Sequence, residues 1–75
     1  MKKTVEFPEL LSLGEVHQCA DVLCRSVSGV HYLSSWKLTG RWRAYFDVRS
    51  EDDFLAAMAE FAQARPGVMI REVLP

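Results

Sequence analysis

Seventy-five residues make a single domain spanning 1–75, and nine basic against ten acidic side chains leave a net charge of -1. That balance excludes the electrostatic footprint of a protein that holds nucleic acid or an anionic membrane. A hydrophobic content of 49%, with four Phe and two Trp, excludes a disordered chain and predicts a packed core, although one of modest size.

No apolar run reaches membrane-spanning length, and Met1-Lys2-Lys3 leads into Thr4-Val5-Glu6 rather than into a signal-peptide core. We therefore expect no membrane association and a cytoplasmic location.

Thr4-Val5-Glu6-Phe7 alternates, with Val5 and Phe7 facing inward, and Pro8 ends this first strand. Ser12-Leu13-Gly14-Glu15 is a capping box, with Ser12 as N-cap, and Leu11 is placed to staple against Val16. A helix follows to about Val27, with Leu13, Val16, Ala20, Leu23, Cys24 and Val27 on its apolar stripe. Val22 falls on its polar side, a position suited to a partner contact. Ser28-Gly29 stops the helix, with Gly29 expected in the left-handed cap conformation. Cys19 and Cys24 stand five residues apart on this helix and so point about 140° apart, which predicts unpaired, reduced thiols.

Two strands then meet in a hairpin centred on Leu38-Thr39-Gly40, read as a three-residue loop with Gly40 left-handed. That register places Trp36 opposite Trp42, Ser34 opposite Ala44, Tyr32 opposite Phe46 and Val30 opposite Val48. Both tryptophans then join Val30, Tyr32, Ala44, Phe46 and Val48 on a buried face. The opposite face carries His31, Leu33, Ser35, Arg43, Tyr45, Asp47 and Arg49.

Ser50 opens a second helix, with Glu51-Asp52-Asp53 complementing its N-terminal dipole rather than converging on a metal. Its buried stripe is read as Phe54, Leu55, Met58, Phe61 and Ala62, and Arg65-Pro66-Gly67 ends it. Val68 to Leu74 reads as a last strand of undecided facing.

The order β-α-β-β-α-β predicts an α+β, ferredoxin-like sandwich. Right-handed crossovers set the strand order 4-1-3-2, and both helices cover one face of the antiparallel sheet. The uncovered face carries the only concentrated chemistry: Leu33, Arg43, Tyr45, Asp47 and Arg49 form a candidate surface for a protein partner or a second copy, with His31 opposite Asp47. The competing reading is a solvated sheet face with weak cross-strand pairs.

Other chemistries find less support. No Ser or Cys nucleophile stands with a base and an orienting group, so an enzyme is not expected. Two Cys and two His lack metal-type spacing, and the four glycines are scattered singly, so neither a metal nor another cofactor is expected. RNA-recognition domains share the topology, and Arg41, Ala44 and Tyr45 match their third-strand pattern. Trp42 and Arg43 stand where its glycine and first stacking ring belong, and Thr4 and Glu6 stack no base.

Val5-Glu6-Phe7 leading through Leu10-Leu11 into an apolar helix, then Ser34-Ser35-Trp36-Lys37, a glycine turn and Trp42-Arg43-Ala44-Tyr45-Phe46, resembles the C-terminal domain of MecA-type adaptors. The similarity runs over residues 4–62. It implies a domain that docks on a ClpC-type unfoldase, and it assigns no individual binding residue. The N-terminal domain with which such adaptors recruit targets has no counterpart here, so docking without delivery, or an unrelated partner, is the expectation. An alternative of the same topology is an ACT-type regulatory module, whose small ligand would sit in the loop from Pro8 to Gly14.

Overall fold

A computed structural model describes residues 1–9 and 12–74 of the chain. The elements follow the expected order: β1 (Lys2–Phe7), α1 (Leu13–Ser26), β2 (Val30–Leu38), β3 (Arg41–Val48), α2 (Glu51–Ala64) and β4 (Arg71–Glu72). The four strands form one antiparallel sheet in the order β2-β3-β1-β4, the predicted ferredoxin-like arrangement. Its inward side chains, Val5, Phe7, Val30, Ala44, Phe46 and Val48, pack with Val16, Leu23, Phe54 and Phe61 of the helices.

The capping box forms as the sequence requires. Ser12 Oγ accepts from the Glu15 amide at 3.2 Å, and the Glu15 carboxylate accepts from the Ser12 amide at 3.1 Å. The expected staple from Leu11 lies outside the described residues. Helix α1 packs against α2 as well as the sheet, which widens its buried arc to include Cys19 and Val22. Val22 is therefore core, not a polar-side misfit, while Leu13 in the first turn is exposed.

On α2 the contact line runs through Phe54, Ala57 and Phe61, and Ala57 is fully buried. A small residue there lets the helix approach closely, and this rolls Leu55 and Ala62 outward from the stripe expected for them. Helix α1 ends without a left-handed cap: Val27 is extended, and Gly40 is the only positive-φ glycine among the described residues. Gly29 is needed for space instead. A Cβ there would overlap the Asp53 carboxylate and come within 3.0 Å of Arg49 Cβ.

The hairpin departs from its predicted register in one half only. Leu38 pairs with Arg41, leaving a two-residue turn, Thr39-Gly40, with both residues at positive φ (49° and 78°). This primed turn matches the right-handed twist of the strands, which a three-residue loop need not do. Lys37 therefore pairs with Trp42 and Trp36 with Arg43, one residue out of step with the predicted register. A bulge between Tyr32 and Ser34 absorbs the extra residue and restores Tyr32 to Phe46 and Val30 to Val48 at the base. Trp36 is consequently on the open face and 62% exposed, while Trp42 stays inward, packed at the margin of the core.

The last strand is shorter than Val68 to Leu74, with ladder pairing at Arg71 and Glu72 and a further bond from the Val73 amide to Thr4 O at 2.8 Å. Its facing is settled: Glu72 lies on the helix side with Val5, and Arg71 on the open side with Glu6.

Candidate functional site

Strand alternation and register build the open face row by row. Trp36, Arg43, Glu6 and Arg71 form one line across all four strands, and Ser34, Tyr45 and Thr4 form the next. His31, Asp47 and Lys2 follow toward the other end, and Leu38 with Arg41 closes the hairpin tip.

Glu6 is the organising charge of this face. It lies on a central strand, and its side chain is only 5% exposed because guanidinium groups lie over it, not because it is sunk among apolar groups. Arg71 donates from Nε to Oε1 at 3.1 Å, Arg43 donates from Nε to Oε2 at 3.2 Å, and Arg41 stands 3.6 Å away. The hydrogen bonds from Arg71 hold its carboxyl below the usual carboxylate range. Desolvation opposes this, and Arg43 adds to the lowering. Three arginines from two strands thus share one anchor, and the hydrogen bonds from Arg43 and Arg71 orient those two guanidinium groups.

Of the residues expected on this surface, Arg43 and Tyr45 stand on the open face, both partly buried by their neighbours. Asp47 faces His31 as expected, and its carboxylate also contacts the amino group of Met1 at 3.3 Å and Lys2 Nζ at 4.0 Å. Leu33 is the extra residue of the bulge and is 48% exposed. Arg49 is drawn away from the group: its Nε donates to Asp53 at 2.8 Å at the start of α2.

The face also gathers residues not expected there, Trp36, Leu38, Arg41 and Arg71, around Glu6, which the alternation of the first strand had already turned to this side. Two signals were available. Thr39-Gly40 is a two-residue primed-turn signature, and Glu6 alternates with Val5 and Phe7 on a strand destined for the sheet centre.

On the helix side, Lys3 bridges β1 to α2 and β4 through Glu51 and Glu72, the latter at 3.0 Å, and lies over the Phe54 ring at 5.1 Å. Hydrogen bonds to Glu51 and then Glu72 raise its ammonium pKa above the usual lysine value. Burial raises both cysteine thiols, and neither cysteine is paired.

Among the described residues, no three His, Cys, Asp or Glu side chains are grouped to hold a metal, and no helix is long and apolar enough to cross a membrane. Comparison of the chain with models of known protein families and with curated proteins finds no match.

Proposed function

We propose that the chain is a non-enzymatic docking module that binds another protein through the open face of its sheet. The observation that carries this reading is Trp36. An indole 62% exposed on a sheet face, beside a guanidinium locked to Glu6, has the composition and rigidity of an interface centre. Leu38 and Tyr45 share this face and extend its apolar area, and the arginine cluster supplies donors at its edge.

The resemblance to the C-terminal domain of MecA-type adaptors supplies the first partner to test, a ClpC-type unfoldase. In a direct binding titration with the purified unfoldase, we expect Trp36→Ala to weaken binding at least about tenfold, or roughly 1.4 kcal/mol. The variant should keep the parent's unfolding midpoint. Equal binding by parent and variant would remove the open face from the reading.

The ACT-type alternative predicts stabilisation by a small ligand. A thermal-shift screen with amino acids and nucleotides separates the two, because a ligand that binds only the folded chain raises its midpoint by mass action. A shift abolished by substitutions in Pro8–Gly14 would favour the regulatory module.

A further inference from the structure

Beside the Glu6 cluster, the open face is hollowed into a trough of about 490 Å³ that crosses β1 toward the β4 edge. Its shape follows from side-chain size. Thr4, short and on the central strand, lies between the Tyr45 ring on one flank and Val73 and Leu74 on the other. Leu74 is 73% exposed, so one wall is aliphatic and unpartnered. Lys2 and Arg43 stand at the rim.

The charges a partner meets here are unbalanced. The chain as a whole is net negative, yet the open face presents Lys2, Arg41, Arg43 and Arg71 against Glu6 and Asp47. Glu6 is covered by the arginines it anchors, so its carboxylate is hidden while Arg41 and Arg71 remain about half exposed. Glu72 also borders the trough, but its carboxylate is turned to Lys3.

We propose that this trough seats one apolar side chain of an acidic linear segment from a partner protein, with Lys2, Arg43 and Arg71 reading the carboxylates on either side. The proposal rests on the docking reading above and names the chemistry of the partner. A second copy of the chain is disfavoured as occupant, because two such faces would bring like charges together. Nucleic acid is disfavoured because the chain as a whole is net negative, which gives no footprint for an extended phosphate backbone.

The test uses the 75-residue chain and nine-residue peptides of Glu and Asp with one central Phe or Leu, followed by amide chemical-shift titration. Saturable shifts at Thr4, Arg43, Tyr45 and Val73 are expected. Affinity should fall at least tenfold when the central residue becomes Ser or the flanks become Lys. Thr4→Phe, which fills the trough on a strand that tolerates aromatic residues, should lower peptide affinity at least tenfold while keeping the far-ultraviolet spectrum. Lys2→Glu should act in the same direction.

Shifts confined to Trp36 and Leu38 would overturn the trough but leave the docking face in place. Tighter binding of an eight-nucleotide oligo(dT) at the same amides would overturn the partner class. Concentration-dependent dimerisation abolished by Thr4→Phe would assign the trough to a second copy. No saturable shift with any acidic peptide would also overturn the proposal, and the unfoldase titration then decides the docking reading separately.

Discussion

At the scale of single residues, the two tryptophans separate stability from recognition. Trp42 lies at the core margin under the Lys37 ammonium, which is 5.9 Å from its ring centroid, and its indole nitrogen is buried without a hydrogen-bond partner among the described residues. Trp42→Ala should cost about 2–4 kcal/mol in urea unfolding, below a fully buried Trp because the ring is only partly enclosed. Trp36→Ala should fall within about 0.5 kcal/mol of the parent, since an exposed side chain has little packing to lose. Equal losses at the two positions would contradict the observed register.

Glu6 makes a second residue-scale prediction. Its carboxyl pKa is lowered in the folded chain, so the group contributes stability above its unfolded value of about 4.5. That contribution is lost as pH falls through the lower folded value. The midpoint of the parent should therefore drop as pH is lowered from about 5, and Glu6→Gln should show a flatter profile over the same window. Parallel profiles would mean that other carboxylates govern acid sensitivity.

The hairpin is where an element's own chemistry decided the surface. Thr39 is β-branched and held at φ 49°, a conformation that asparagine and glycine adopt with less strain. Thr39→Asn should stabilise the protein by about 0.5–1 kcal/mol without moving the register, measured by denaturant midpoint. Gly40→Ala should destabilise it, although a Cβ there meets open space, because the positive φ alone is unfavourable. The opposite result at either position would argue for a different turn. Strand β4, with only Arg71 and Glu72 in the ladder, depends on ionic contacts as well: Arg71 to Glu6 on one face and Glu72 to Lys3 on the other.

For the molecule as a whole, a core in which both cysteines are shielded makes thiol chemistry a report on unfolding. Burial raises both thiols above their ordinary range, and no base near them opposes it strongly enough to lower either. The protein isolated without oxidant should keep the mass of two free thiols. Alkylation at pH 7 should be slow in the folded state, slower at buried Cys19 than at half-buried Cys24, and should rise sharply through the urea transition. Fast alkylation of Cys19 under native conditions would show that α1 opens well below the global transition.

Element order, the capped start of α1, the inward face of β1 and the separation of the cysteines are local or periodic properties, and the residues alone determined them. Sheet order also followed, because crossover handedness leaves few compact arrangements for β-α-β-β-α-β. Tertiary structure decided three other matters. Trp36 moved to the open face because a twist-matched turn at Thr39-Gly40 displaced the tip of the hairpin and a bulge at Leu33 let its base stay in place. Val22 became core because α1 packs against α2 as well as the sheet, a contact that helical periodicity in a single segment does not encode. The Glu6 cluster draws Arg41 and Arg43 from β3 and Arg71 from β4, distant in sequence from the carboxylate that joins them. Charges on separate strands meet only once register is set, and here register depends on a turn and a bulge that alternation along one strand does not fix.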